Sequence, residues 1–115
     1  MNFNEYQAKC YKTAIYPNLG DNIIYPAICL AGEAGEVANK IGHWIRDRGY
    51  FQGKDVKPNQ YMKNELVKEM GDVMWEIAML AYELNINLDD VAKMNIEKLD
   101  SRKRRGKVSG SGDNR

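Results

Sequence analysis

Eight residues, Leu30-Ala31-Gly32-Glu33-Ala34-Gly35-Glu36-Val37, recur in nearly the same form thirty-six positions later as Leu66-Val67-Lys68-Glu69-Met70-Gly71-Asp72-Val73. Both copies read Leu-x-x-Glu-x-Gly-[Glu/Asp]-Val. On a helix, positions i and i+3 lie roughly 60° apart, so Glu33 projects with Glu36 and Glu69 with Asp72. Each acid pair sits at the edge of an apolar stripe, formed by Leu30, Ala34, Val37 and Ile41 in one copy and by Leu66, Met70, Val73 and Ile77 in the other. If the two stripes pack together, four carboxylates meet at the rim of the contact. Converging carboxylates repel one another unless cations neutralise them, and hard oxygen donors suit Mg²⁺, with Mn²⁺ as the alternative. The competing reading is a pair of solvated helix faces. The shared phase and the paired Gly35 and Gly71 weigh against it, because a glycine inside a helix costs about 1 kcal/mol relative to alanine and two at equivalent places suggest close helix approach.

Other side chains could serve such a centre. Lys40 lies one turn after Glu36 and could reach a phosphate or simply pair with Glu36 at i,i+4. Asn95, Lys98 and Arg102 form a polar strip that could face the acids across a bound nucleotide, or be a solvated basic helix end favoured by the helix dipole. Trp75 falls off its helix's stripe and could stack on a base or bury against another helix or subunit. Trp44 reads as core, and His43 beside it is a further candidate contact to substrate. Glu65 and Glu76 read as surface charges rather than outer members of the acid group. His43 is the sole histidine, which excludes a ferritin-like Glu-x-x-His di-iron site. There is no nucleophile motif and no Gly-x-x-x-x-Gly-Lys-[Ser/Thr] loop.

The acids need long helices to carry them. Asn4 and Gln7 have the form of a capping box for a first helix reaching about Ala14, before Pro17. A second helix begins between Asn22 and Pro26 and runs to about Arg46, with Gly49 as its expected cap. Residues 49–59 read as a long loop that could be a lid. A third helix spans about Gln60 to Leu84, and a fourth opens at Asn87 with acids in its first turn. The expected fold is an all-α, four-helix-bundle-like domain over 1–107, centred on two long antiparallel helices, with a polar tail over 108–115 that alone would be flexible. The chain has 115 residues, one domain's length, with 43% hydrophobic residues and a net charge of +1. That charge gives no global field for nucleic acid or membrane, and no apolar run reaches the length of a membrane span. The N-terminus has no signal-peptide pattern. Cys10 and Cys29 fit a reducing, cytoplasmic setting better than a disulfide framework.

The segments Leu30 to Lys40 and Lys68 to Trp75 closely resemble the MazG-like nucleotide pyrophosphohydrolases, whose signature is Glu-x-x-Glu followed one helix later by Glu-x-x-Asp. The stretch from Met94 to Arg102 is similar to the family's Asn-x-x-Lys-Leu-x-x-Arg, and residues 110–115 resemble the tail of small members. Where many members place a further Glu directly before the first motif, this chain has Gly32. The resemblance implies that Glu33, Glu36, Glu69 and Asp72 ligate Mg²⁺ and carry catalysis. It makes Lys40, Asn95, Lys98 and Arg102 nucleotide and phosphate contacts. It also implies a homodimer or homotetramer that hydrolyses a nucleoside triphosphate to the monophosphate and pyrophosphate, by attack of metal-activated water at the α-phosphorus. The rival from a different class is a non-catalytic helical protein that binds nucleotides or nucleic acid.

Overall fold

The structure is a computed structural model that describes residues 1–48 and 57–115. Gly49 and Gly53, and with them most of the expected loop, lie outside the described residues. Four helices form, α1 (Phe3–Tyr11), α2 (Ile24–Arg48), α3 (Gln60–Glu83) and α4 (Leu88–Arg104), and there is no strand among the described residues. The all-α expectation therefore holds, and α2 and α3 pack on each other most extensively. They run antiparallel: Lys40 meets Glu65 and Glu69, while the charge of Glu33, one helical stretch earlier, acts on Glu76.

The helix starts follow local chemistry with one displacement. The capping box of α1 is made by Asn2 and Glu5: Asn2 Oδ1 accepts from the Glu5 amide at 2.8 Å, and Glu5 Oε2 accepts from the Asn2 amide at 3.1 Å. Asn4 and Gln7, expected in that role, cap a different helix. Asn4 Oδ1 accepts from the Asp89 amide at 3.1 Å, and Gln7 Oε1 from the Leu88 amide at 3.1 Å. The reason lies at α4, where Asn87 makes no side-chain cap bond and the first-turn amides still need acceptors. Asp89 reciprocates, its Oδ1 accepting from the Phe3 amide at 3.2 Å. α1 also ends at Tyr11 rather than Ala14, its last turn tightening into Thr13-to-Cys10 and Ala14-to-Tyr11 backbone bonds.

Gln7 is buried, and its amide nitrogen donates to Ile86 O at 2.9 Å and Ala78 O at 3.3 Å. One side chain thus joins α1, the end of α3, the α3–α4 turn and the start of α4. Around it lies the core of Cys10, Tyr16, Ala78, Met79, Ala81 and Leu88. On the other side Glu83 clasps the α1–α2 connection, accepting from the Tyr16 hydroxyl and from the amides of Gly20 at 2.9 Å and Asn22 at 3.0 Å. Burial alone would raise the Glu83 carboxyl; those three donors hold it below its ordinary value instead.

The expected apolar stripes of α2 and α3 are only partly covered. Leu30, Val37, Leu66 and Val73 are half-buried, but Ile41, Met70 and Ile77 stay exposed. Nor do the paired glycines mark a close approach. A Cβ added at Gly32, Gly35 or Gly71 would meet nothing within 4 Å, so the helices of one chain do not need glycine there.

Replacing Gln7 with Ala leaves the Leu88 amide and the Ile86 carbonyl without their side-chain partners inside the core. The expected loss in urea unfolding is about 2–4 kcal/mol. A loss below roughly 0.5 kcal/mol, the size of an ordinary surface change, would show that solvent replaces these bonds.

Candidate metal centre

α2 contributes Glu33, Glu36 and Lys40, and α3 contributes Glu65, Glu69, Asp72 and Glu76. The α3 acids fall at spacings of four, three and four, which keeps them on one helix face. Packing of α2 on α3 brings one carboxylate oxygen each of Glu33, Glu69 and Asp72 within 4.8 Å of one another. Glu33 and Glu69 are half-buried and Asp72 is exposed, so the group opens to solvent on one side. Glu36 is exposed and stands outside this group of three, although its charge acts on Glu33. Burial, then the charges of Asp72, Glu69 and Glu36, push the Glu33 carboxyl above its ordinary value.

Lys40 pairs across the helices rather than with Glu36. Its ammonium bridges α2 to α3, 3.1 Å from Glu69 and 3.2 Å from Glu65. Those two carboxylates raise its pKa. Glu65, expected on the surface, is half-buried between Lys40 and Lys68, the latter at 2.7 Å, and both cations lower it. Glu76 departs further from expectation. It is buried, one of its oxygens has no hydrogen-bond partner, and its pKa is pushed up to about 6 by burial and then by Glu33 and Asp72. The signal for both lay in the unbroken stripe of acids on α3, which reading the Glu-x-x-Asp motif alone cuts short.

The donor set fits a hard divalent cation. All the converging atoms are carboxylate oxygens, and one ammonium neutralises only part of their charge. No histidine or cysteine stands in the group.

The remaining candidates lie elsewhere. Trp75 is half-buried against the core, its Nε1 donating to Thr13 Oγ1 at 2.9 Å and its ring edge-on to Tyr16 at 6.4 Å, which is the packing alternative. Trp44 is half-buried and His43 exposed on α2. Asn95 borders a shallow groove with Phe3, Met74 and Ile77. Arg102 is only 5% exposed, its Nη2 donating to Asp113 O at 2.8 Å and Gly112 O at 3.3 Å. Lys98 and Arg102 each stand 3.5 Å from the Asp113 carboxylate. The 108–115 segment, expected to be flexible by itself, is therefore tied back onto α4. Among the described residues α4 touches α1 and α3 but not α2, so a single chain does not bring this basic strip to Glu33 and Glu36.

Residues 26–106 match the family described as the MazG nucleotide pyrophosphohydrolase domain. The Gene 37 protein of Mycobacterium phage L5 is 43% identical over 120 residues, covering 100% of both chains. The uncharacterized protein YvdC of Bacillus subtilis (strain 168) is 39% identical over 79 residues, covering 64% of this chain and 68% of its own. No solved structure matches.

Glu33 and Glu76 are both raised, so between the ordinary carboxylate value and about pH 6 the folded chain binds more protons than the unfolded one. Stability falls as pH rises through that window. In EDTA the midpoint of thermal unfolding should be higher at about pH 5 than at about pH 7, by on the order of 5 °C. Glu65 and Glu83, which are lowered, withdraw stability only at still lower pH. A lower midpoint at the acid end would show that Lys40 already compensates the acid group.

Proposed function

The chain belongs to the MazG nucleotide pyrophosphohydrolase family, and from that premise we propose that it is a Mg²⁺-dependent enzyme hydrolysing nucleoside triphosphates, deoxynucleotides among them, to the monophosphate and pyrophosphate. The observation that carries this reading is the convergence of Glu33, Glu69 and Asp72 from two helices. A divalent cation joining them would offset their mutual repulsion, of which Lys40 relieves only part.

Glu33, Glu69 and Asp72 would hold the cation, with Glu36 at the open edge; Mn²⁺ would fit the same donors. A divalent cation bound there would neutralise phosphate charge and acidify water. The chain's own groups supply the rest. Lys40, by pairing with Glu69 and Glu65, fixes the orientation of Glu69 while offsetting repulsion in the apo state. A carboxylate oxygen not used as a ligand accepts the proton of the water that attacks the α-phosphorus. As the bond to the bridging oxygen breaks, charge develops on pyrophosphate and must be received by fixed cations. Lys98 and Arg102 would receive it, and their sharing of one anion, the Asp113 carboxylate, supports that role. Asn95 lies one turn before Lys98 on the same helix.

In one chain these cations are not on α2, so the reading includes a homodimer or homotetramer in which α4 strips and acid groups of different copies can meet. Apolar side chains left in the open support it: Ile24, Ile28, Val67 and Met94 are each 65% exposed or more. The open space beside Gly32, Gly35 and Gly71 keeps the acids accessible. No helix among the described residues is long and apolar enough to cross a membrane.

Product analysis by ³¹P NMR over a panel of nucleoside triphosphates, with Mg²⁺ and with EDTA, tests the reaction. The expected outcome is metal-dependent monophosphate plus pyrophosphate; diphosphate plus orthophosphate would refute attack at the α-phosphorus. Glu69→Gln should lower turnover by more than about 100-fold with the helical circular-dichroism spectrum retained, and full activity in that variant would sink the assignment. Light scattering after size exclusion should give a mass at least twice 13.2 kDa; a monomeric mass throughout the accessible concentration range would remove the oligomer.

A further inference from the structure

Glu76 continues the acid stripe of α3 one turn beyond Asp72. Its residue surface is 6% exposed, and its Oε2 is buried with no hydrogen-bond partner. A buried carboxylate without a donor is costly, and native proteins rarely keep one without a reason. The donors around it are committed elsewhere. Among the described residues, the Tyr16 hydroxyl goes to Glu83 and the Tyr25 hydroxyl pairs with the Cys29 thiol. No ammonium group acts on it among the described residues, since Lys40 pairs with Glu65 and Glu69 and Lys68 with Glu65, roughly two turns or more earlier on α3. What does act on Glu76 is the charge of Glu33 and Asp72, two members of the converging group. It therefore lies beside that group, on the side away from Lys40.

Glu76 is not one of the three acids whose oxygens come within 4.8 Å of one another, so its place is the outer sphere. Mg²⁺ gives up its water reluctantly and keeps several water molecules on protein sites. Such water is a strong donor, and a carboxylate that accepts from it orients the first ring of ligands and tightens binding. We propose that Glu76 is a positioning residue of the cation site, its Oε2 accepting a hydrogen bond from the hydration water of a cation held by Glu33, Glu69 and Asp72. This rests on the cation reading given under Proposed function. It assigns Glu76 a part that the repeated Glu-x-x-[Glu/Asp] motif does not contain.

Mn²⁺ titration calorimetry on the full chain tests it, paired with thermal unfolding in EDTA and in saturating Mn²⁺. The proteins are the wild type, Glu76→Gln, Glu76→Met and, as a control, Glu69→Gln. The expected result is Mn²⁺ binding by the wild type and binding weaker by about 10-fold or more in both Glu76 variants. In EDTA both variants should unfold at a higher temperature than the wild type, because an unpaired buried charge is gone, and they should gain less from Mn²⁺. A residue that merely packs would lower stability equally in both conditions and leave the affinity alone. Unchanged Mn²⁺ affinity in a folded Glu76→Gln or Glu76→Met overturns the proposal while the cation reading stands. Loss of the folded state in both variants, even with Mn²⁺, assigns Glu76 to the core and also overturns it. A wild type that binds no Mn²⁺ removes the cation reading itself and the role of Glu76 with it.

Discussion

Mutual repulsion among the carboxylates of α2 and α3 is the constraint around which this small domain is arranged. Glu33, Glu69 and Asp72 converge, Glu36 and Glu76 flank them, and among the described residues only Lys40 answers from within the group. Such a cluster pushes its two helices apart. The opposing forces lie at a distance from it. Lys40 ties α2 to α3 at one end of the acid stripe, while Glu83 clasps the α1–α2 connection at the other. Gln7 and the core of Ala78, Met79 and Leu88 then anchor the far half of α3 to α1 and α4. The buried core lies away from the acid group, which stays open to solvent on one side.

Much of this was legible in the sequence, and the boundary is physical. The four helices and their approximate ends follow from apolar period, proline and capping residues, all local signals. The repeated octet places two acid pairs at one phase, and packing of α2 on α3 brings three of those four together. What escaped were properties that need a neighbour in space. Asn4 and Gln7 have the spacing of a local cap, yet they serve α4, because an amide without an acceptor is satisfied by whichever oxygen arrives. Glu76 has the type and spacing of a surface residue, and its burial comes from neighbours distant in sequence, with Tyr16, Tyr25 and Glu33 all within its electrostatic reach. Gly35 and Gly71 suggested close packing that one chain does not contain.

The basic end of α4 illustrates the same division. Its composition suits either a bound anion or a solvated basic helix end. In the single chain the answer is internal, since Asp113 and the carbonyls of Gly112 and Asp113 occupy Lys98 and Arg102. Two cations held by one carboxylate have already lost much of their side-chain freedom in the free chain.

The reciprocal caps at the start of α1 and α4 bear on how the domain assembles. Phe3 with Asp89 is a contact across 86 residues, and Asn4 with Asp89 across 85. The α2–α3 pair, by contrast, is a hairpin of sequence neighbours. Contacts of low sequence separation close early, and long loops close late because of their entropy. The pair of helices bearing the acids can therefore form before the chain's two outer helices are locked. The Leu88 amide, bonded to Gln7 inside the core, becomes protected only when α1 has docked on α4, so its hydrogen exchange reports opening of that contact, whereas the exposed Phe3 and Asp89 amides also exchange by fraying.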